Sequence, residues 1–236
     1  MLSFLFPPVC PLCTKELLDK GERVCKKCSE KQIFIKEPTC YSCGKPMKDH
    51  EKEYCLDCRQ NPKNFERGLG LCIYQKPVTD SLAAIKYKNE RKFADYYLDE
   101  IVKRKYKELK NLKVQAVIPV PIHKKKRRKR GFNQAEIFSK GIAKMLDVPM
   151  HAKIVERTHD TKPQKQLNPG ERQKNLKKAF WGNKKEYQRT GMPKRVLLVD
   201  DIYTTGATAQ AVTFALKQLG VREVYVFCIA IGKGFS

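Results

Sequence analysis

Eight of the ten cysteines lie within the first 58 residues, and their spacing restricts how that part of the chain can fold. They form four C-x-x-C pairs, and eleven residues separate each pair from the next. Two such pairs offer four thiolates, which is the number that a tetrahedral zinc ion needs. The sequence therefore predicts two structural zinc ions with these ligands: Cys10, Cys13, Cys25, Cys28, Cys40, Cys43, Cys55 and Cys58.

The cysteine-rich part is also an internal duplication. The stretch CPLCTKELLDKGERVCKKC at residues 10–28 aligns with CYSCGKPMKDHEKEYCLDC at residues 40–58. Even spacing fits either two sequential zinc sites or a cross-brace, and the duplication favours sequential sites, one in each repeat. Disulfides are the alternative, which a reducing cytosol disfavours. Cys72 and Cys228 lie in apolar runs and are predicted to be core residues.

A second motif, RVLLVDDIYTTGATAQA at residues 195–211, predicts a strand, a loop and a helix in that order. Residues 196–199 are continuously apolar, which is typical of a strand that is covered on both faces of a parallel sheet. Asp200 and Asp201 would then stand at the carboxyl end of the strand, where ligands bind in open α/β sheets. Aspartates that are merely solvated at a strand end would explain neither the adjacent pair nor the T-T-G-A-T loop.

The loop after the two aspartates has the composition of a phosphate site. Backbone amides at a glycine-containing turn and at a helix N-terminus favour an anion, while carboxylates accept hydrogen bonds from hydroxyl groups. A sugar phosphate satisfies both requirements, with Asp200, Asp201, Thr204, Thr205, Gly206, Ala207 and Thr208 as the predicted contacts. A Walker B strand is the rival interpretation, but the chain lacks the G-x-x-x-x-G-K-[ST] loop.

Strand and helix patterns alternate beyond residue 68, so the predicted fold class is α/β with a doubly wound, mainly parallel sheet. We predict strands at 69–74, 114–120, 153–157 and 224–231, besides the motif strand, and helices at 78–87, 92–109 and 133–146. The predicted domains are a double zinc ribbon at residues 1–60, a linker at 61–67 and an α/β domain at 68–236.

The formal net charge of +24 is uneven, with +2 in residues 1–60 and +22 in the remainder. Such an excess points to a polyanion, most simply single-stranded DNA, although solubility alone is the alternative. A basic run follows the strand predicted at 114–120, in what we predict to be a loop. The candidate DNA-binding residues are Lys124, Lys125, Lys126, Arg127, Arg128, Lys129, Arg130, Asn133 and Gln134. Phe132, Tyr203 and Trp181 are candidates to stack on bases, with core packing favoured for Trp181.

No segment reaches the length of about 18 apolar residues that a membrane span requires. The opening residues 1–10 lack a basic region before their apolar run, so they do not predict a secretory signal. We expect them to be a hydrophobic lead-in that packs on the domain behind it, and we expect a cytoplasmic location. Peripheral contact with the inner membrane surface is the minor alternative.

The strand, the acidic pair and the x-x-x-T-G-x-T loop resemble the ribosyl-phosphate motif of type I phosphoribosyltransferases. That resemblance implies binding of phosphoribosyl pyrophosphate (PRPP) or a related sugar phosphate, together with Mg²⁺. It places the pyrophosphate loop at Pro119, Val120 and Pro121, and a substrate-covering hood in the polar stretch at 157–180. Arg157 and Arg172 in that stretch are implied PRPP ligands.

The whole set of motifs resembles the ComF/GntX family: the double zinc ribbon, P-V-P-I-H, R-G-F-N-Q-A, E-R-Q-K-N-L and V-D-D-I-Y-T-T-G-A-T. The resemblance implies a bacterial protein of natural transformation that handles incoming single-stranded DNA at the inner face of the membrane. A ComFA-type helicase and DprA are the implied protein partners. GntX-type relatives are linked to gluconate use, so the pathway stays open.

Whether the chain is an enzyme also stays open. Thr204 occupies the position at which purine phosphoribosyltransferases carry an aspartate near the base. The sequence therefore predicts PRPP binding without predicting turnover. Two alternatives remain, an active phosphoribosyltransferase of nucleotide metabolism and a zinc-ribbon adaptor that docks on proteins. The family's lysine–aromatic–x–Gly stretch reads Lys86-Tyr87-Lys88-Asn89 in this chain.

Overall fold

A computed structural model describes residues 8–19, 21–158 and 179–233. The opening residues 1–7 lie outside this part of the chain, and so does most of the stretch in which we predict a hood, including Arg172. The strands are β1 (Arg67–Ile73), β2 (Ala116–Pro119), β3 (Val155–Arg157), β4 (Phe180–Gly182), β5 (Arg195–Tyr203) and β6 (Glu223–Ile231).

Four of these strands form one sheet in the order β1-β6-β5-β2, and every neighbouring pair in it is parallel. The predicted α/β class with a parallel sheet is thus confirmed. The strand predicted at 153–157 is shorter and does not belong to this sheet. It forms β3, which pairs antiparallel with β4 in a separate two-stranded ribbon. Three residues per strand are too few to signal such a ribbon through their periodicity.

Eight helices occur in the described part of the chain. They are α1 (Lys26–Ser29), α2 (Leu56–Gln60), α3 (Val78–Lys88), α4 (Phe93–Asn111), α5 (Lys124–Arg130), α6 (Gln134–Leu146), α7 (Lys184–Arg189) and α8 (Ala207–Leu219). The basic run that we predicted to be a loop is therefore the helix α5. Its seven consecutive cations carry no apolar periodicity, so no amphipathic signal marks it as helical.

The sheet is covered on both faces, as its apolar strands predict. Neighbouring residues of β5 alternate between the two faces, so that Leu197 and Val199 pack in one core and Val196 and Leu198 pack in the other. The helices α3, α4 and α6 and cysteines of the first ribbon contribute to the first core. The second core contains side chains of α8 and the β3–β4 ribbon, together with cysteines of the second zinc ribbon.

Both edge strands of the sheet are covered by extended chain. The amide of Ile35 donates to the Leu71 carbonyl at 2.9 Å, and the amide of Ile73 donates to the Ile33 carbonyl at 2.7 Å, so the connection between the two zinc ribbons pairs with β1. On the far side, the amide of His151 donates to the Val117 carbonyl of β2 at 2.9 Å. Covered edges leave few free backbone groups that could pair with another chain.

The second zinc ribbon touches the sheet backbone to backbone at two glycines. A Cβ atom on Gly44 would lie 2.6 Å from the Gly68 carbonyl oxygen, and a Cβ atom on Gly68 would lie 2.9 Å from the Cys43 carbonyl carbon. Gly44 also has a φ of +72°, a conformation in which side chains are strained. Side chains larger than hydrogen therefore do not fit between this ribbon and β1.

We expect Gly68→Ala to destabilise the protein by about 1–3 kcal/mol, because the added methyl group has only backbone against it and overpacks the contact. Chemical denaturation that follows the unfolding of the sheet measures this change. Gly232→Ala is the matched control, since a Cβ atom there meets its nearest neighbour at an ordinary 3.5 Å. Equal stability of the two variants would show that the ribbon shifts at no cost.

Candidate functional site

The eight cysteines of the duplicated segment form two separate groups of four. The sulfur atoms within each group all lie within 4.8 Å of one another. The first group is Cys10, Cys13, Cys25 and Cys28, and the second is Cys40, Cys43, Cys55 and Cys58. Each repeat thus supplies one complete group, so the sequential arrangement is confirmed over the cross-brace. None of the ten cysteines is joined in a disulfide, and the grouping in fours favours zinc over the disulfide alternative.

The geometry of both groups fits zinc. A tetrahedral ion with zinc–sulfur distances of about 2.3 Å holds its sulfurs about 3.8 Å apart. The Cys13 and Cys25 sulfurs are 3.9 Å apart, and the Cys43 and Cys55 sulfurs are 3.7 Å apart. In addition, the Cys55 amide donates to the Cys40 sulfur at 3.3 Å, a contact that favours a thiolate at that position. These eight residues would hold two structural zinc ions, one in each repeat.

The predicted sugar-phosphate motif surrounds a cavity at the carboxyl end of β5. Asp200 and Asp201 are the sixth and seventh of the nine residues of the strand, and α8 begins four residues after it ends. The cavity and the open solvent at its mouth together hold about 270 Å³ of space. It is lined by Asp200, Ile202, Tyr203, Thr204, Thr205, Gly206, Ala207, Thr208, Ala209 and Cys228. Asp201 lies beside it but does not line it, while the five predicted loop residues all do.

Gly206 shapes the loop of this cavity for two independent reasons. Its φ of +77° is left-handed, and a Cβ atom there would overlap the hydroxyl of Tyr203, which lies beneath the loop. Gly206 is also the N-cap residue of α8 and has no side chain that could accept from the first amides, of which, in the described part of the chain, only that of Ala207 is seen to donate to a side chain, the Thr205 hydroxyl at 3.4 Å. Such amides, at the positive end of a thirteen-residue helix, favour an anionic group.

The acidic pair is electrostatically costly. Burial raises the pKa of Asp200 well above its usual range, and repulsion from Asp201 raises it further. Asp201 is buried and has two partners from outside the strand. The Gln134 side-chain amide donates to its Oδ2 at 3.1 Å, and the Lys86 ammonium lies 3.7 Å from the same oxygen. The sequence did not signal either contact, because both cross long separations in the chain.

The other predicted PRPP ligands in the described part of the chain lie at the end of β2 and in the β3–β4 ribbon. Pro119, Val120 and Pro121 stand at the end of β2, next to β5, and the Val120 amide donates to the Val199 carbonyl at 2.8 Å. They do not line the cavity. Arg157 lies in the β3–β4 ribbon, where its guanidinium is 5.3 Å from the centre of the Phe180 ring.

The basic helix α5 follows the carboxyl end of β2, and the cavity follows the carboxyl end of the neighbouring parallel strand β5. Both therefore lie at the carboxyl end of the sheet. Lys124 to Lys129 are exposed, and Arg130 is half-buried. The Nδ1 of His123 accepts from the Lys125 amide at 3.2 Å at the start of the helix. Gly131 ends the helix in a left-handed conformation with a φ of +79°. A salt bridge joins Arg127 to Glu136 of α6 and fixes α5 against its neighbour.

Asn133 and Gln134 do not belong to the exposed basic surface. Both are buried, and the Asn133 side chain accepts from the Ala135 amide at 3.2 Å while it donates to the Val120 carbonyl at 2.9 Å. Asn133 therefore holds the β2 end to the start of α6, and Gln134 contacts Asp201. We accordingly leave these two residues out of the DNA surface that we propose below.

The candidates for base stacking need a similar correction. Phe132 and Tyr203 are buried, so neither ring is open to a base. The Arg91 guanidinium covers the Phe132 ring at 4.3 Å from its centre. Trp181, for which core packing was favoured, is instead 67% exposed. The predicted core roles of Cys72 and Cys228 are confirmed by their burial, although Cys228 also lines the cavity.

Comparisons with known proteins match the zinc-ribbon part of this chain to a domain family and the chain itself to several relatives. Residues 1–59 match the double zinc ribbon domain family. Competence protein F of Haemophilus influenzae is 32% identical over 167 residues, which cover 66% of this chain and 69% of that protein. The DNA utilization protein YhgH of Escherichia coli is 29% identical over 48% of each chain. Competence protein ComFC of Bacillus subtilis is 30% identical over 44% of this chain and 39% of its own length.

Among solved structures, a purine phosphoribosyltransferase from Pyrococcus horikoshii aligns with a TM-score of 0.34 and 20% sequence identity, over 57% of this chain and 72% of that chain. In the described part of the chain, no helix is both long and apolar enough to cross a membrane.

The fold and the two kinds of site define a class: an α/β protein with a strand–loop–helix pocket at its sheet edge and a double zinc ribbon at its N-terminal side. The identity and coverage shared with Competence protein F go further, and the chain belongs to the competence protein F (ComF) family. The family that the sequence motifs indicated is thereby confirmed.

We expect Cys25→Ser with Cys28→Ser to lose about one of two zinc ions per chain and to unfold the first ribbon. Apparent zinc binding of about 10–16 kcal/mol is folding free energy in modules of this kind. Elemental analysis of protein purified without chelator gives the zinc content. Cys55→Ser with Cys58→Ser is the matched control and should remove only the other ion. Two ions retained in the first variant would contradict the assignment of its ligands.

Proposed function

We propose that this protein binds single-stranded DNA during DNA uptake or use, and that its pocket binds phosphoribosyl pyrophosphate or a related sugar phosphate. The names of its relatives, which are competence and DNA utilization proteins, support a role in DNA uptake or use. One observation carries the DNA-binding proposal: a helix of seven consecutive cations, six of them exposed, stands at the carboxyl end of the sheet, where the pocket also lies.

The charge of α5 suits a nucleic acid backbone. Phosphate groups that are neutralised by lysine and arginine release condensed counterions, which gives affinity without sequence preference. The alternative is that α5 is a solvated surface helix that binds no ligand. Its placement argues against that alternative, because salt bridges from Glu156 to the first residue of α5, Lys124, and from Glu136 to its middle residue, Arg127, hold the helix at the carboxyl end of the sheet.

The pocket suits the ribose and phosphate of PRPP. Asp200 lines the cavity and can accept from a ribose hydroxyl. Asp201 lies beside the cavity, and only its Oδ1 is free of the Gln134 and Lys86 contacts to accept from a second hydroxyl. The residues from Thr204 to Thr208 line the same cavity, and their amides and hydroxyls can donate to a 5′-phosphate. When Mg²⁺ accompanies PRPP, it offsets charge on the pyrophosphate oxygens. Thr204 cannot act as a general base, so we propose binding and not turnover.

Replacing Asp200 and Asp201 with asparagine should weaken PRPP binding at least tenfold, since each charged hydrogen bond is worth about 1.5–3 kcal/mol. Isothermal titration calorimetry with PRPP and Mg²⁺ measures the affinity. Asp147→Asn is the matched control, because Asp147 is exposed and asparagine tolerates its left-handed conformation. If the double variant binds PRPP as tightly as the wild type does, the pocket has been assigned to the wrong ligand.

We expect Lys125→Ala, Arg128→Ala and Lys129→Ala together to flatten the salt dependence of DNA binding. Each phosphate contact on a single strand adds about −0.7 to the slope of log affinity against log salt, so the slope should change by about 2. Gel shifts across a salt series, with oligonucleotides of several sequences, measure it. These three residues are preferred to Lys124 and Arg127, whose salt bridges hold α5 in place.

The control for that experiment removes three charges at the amino end of the sheet, away from α5. They belong to the exposed residues Lys107, Lys110 and Arg222. Arg222 directly precedes β6, and Arg67 at the start of β1 contacts Glu108 of α4 at 3.0 Å. Both observations place these cations near the amino ends of the strands. Equal slopes for the α5 variant and the wild type would leave α5 as a solvated helix.

A further inference from the structure

Two large aromatic side chains stand exposed at opposite ends of the basic helix. Tyr87 is 71% exposed and Trp181 is 67% exposed, which are the two highest values among the aromatic residues of the described chain. Exposed rings of this size forgo the free energy that burial would give them. Neither ring is needed for the pocket, and the DNA contact proposed above uses charge alone.

Tyr87 is tied to the C-terminal end of α5. The Arg130 guanidinium lies 5.1 Å from the centre of the Tyr87 ring, and the Lys86 ammonium lies 5.9 Å from it. Arg130 also donates to the Gln134 side chain at 3.4 Å, which connects this end of the helix to the residues around Asp201. Tyr87 thus has cations beside it while most of its surface stays open.

Trp181 is tied to the N-terminal end of α5 through Glu156. These two residues are direct partners in the antiparallel β3–β4 pair, so their side chains share one face of the ribbon. The Lys124 ammonium at the start of α5 lies 3.9 Å from the Glu156 carboxylate. The face that carries Trp181 is therefore the face that meets the basic helix.

We propose that Tyr87, α5 and Trp181 form one surface on which a single-stranded nucleic acid lies, with its phosphates along α5 and bases stacked on the two rings. This stacking surface rests on the proposed DNA-binding function and names where and how the strand is held. Aromatic rings accept any base on their faces, so the surface has little sequence preference. Bases of a duplex already stack on one another, and the surface accordingly selects single strands.

The helix spans about 10 Å at 1.5 Å per residue, so the two rings are separated by a few nucleotides. Cations between aromatic platforms are the combination by which proteins hold single strands without reading their sequence. An acidic protein is the other macromolecule that a basic surface attracts. It would not need the rings, and the experiment below separates it from a strand.

The chain contains a single tryptophan, so its intrinsic tryptophan fluorescence reports on Trp181 alone. We expect an oligothymidylate of about 15 nucleotides to quench this fluorescence, and a duplex of the same length to leave it nearly unchanged. Trp181→Ala and Tyr87→Ala should each weaken strand binding about tenfold with the salt slope preserved, because stacking releases no counterions. Trp181→Phe and Tyr87→Phe, which keep a ring, should restore most of the affinity.

Tyr41→Ala is the matched control for Tyr87→Ala. Tyr41 is also an exposed tyrosine with a guanidinium near its ring, that of Arg67 at 5.3 Å, but it lies in the second zinc ribbon. Its loss should leave strand affinity unchanged.

Three results overturn the stacking surface. Strand binding by gel shift with unchanged Trp181 fluorescence, and with full affinity in both alanine variants, means that α5 holds the strand by charge alone. In that case the DNA-binding function stands and the stacking surface fails. No strand binding at all removes both. Binding of polyglutamate with the affinity of the oligothymidylate, and with no loss in the two alanine variants, assigns the surface to an acidic protein.

Discussion

Two adjacent carboxylates at the end of a buried strand repel each other, and the elements around them are arranged to offset that repulsion. Burial and Asp201 both raise the pKa of Asp200. Lys86 at the end of α3 and Gln134 at the start of α6 both contact Asp201, so two helices are oriented by the acidic pair. A charged group that is costly to bury is favoured where a ligand uses it, and of this acidic pair Asp200 lines the cavity at the carboxyl end of β5.

The zinc ribbons contribute to the sheet as well as to their own folding. The connection between them pairs with the outer edge of β1, and Gly44 and Gly68 bring the second ribbon against the same strand. Cysteines of the first repeat pack in one core and cysteines of the second repeat pack in the other. Zinc bound in the ribbons would therefore stabilise β1 and through it the sheet, so the two parts of the chain are coupled in stability.

How much the sequence predicts depends on how local the signal is. The cysteine groups and the strand–loop–helix around Gly206 were predictable, because each is fixed by spacing within one short segment. The helix α5 was missed because seven like charges have no apolar face, and the β3–β4 ribbon was missed because its strands are three residues long. The Lys86 and Gln134 contacts to Asp201 join residues far apart in the chain, and a single sequence gives no signal for such pairs. The exposure of Trp181 was predicted wrongly since large aromatic residues are usually buried.

The helix α5 is unfavourable on its own. Cations at i, i+3 and i+4 repel one another, and cations in the first turn oppose the helix dipole. At only seven residues it is also too short to be stable without help. His123, Gly131 and Glu136 supply that help from outside the helix. These contacts stabilise a helix that keeps the cations in one ordered row, although a loop would hold the same charge with less repulsion. A polyanion along the row would remove the repulsion, so ligand binding and the stability of α5 are linked through the same charges.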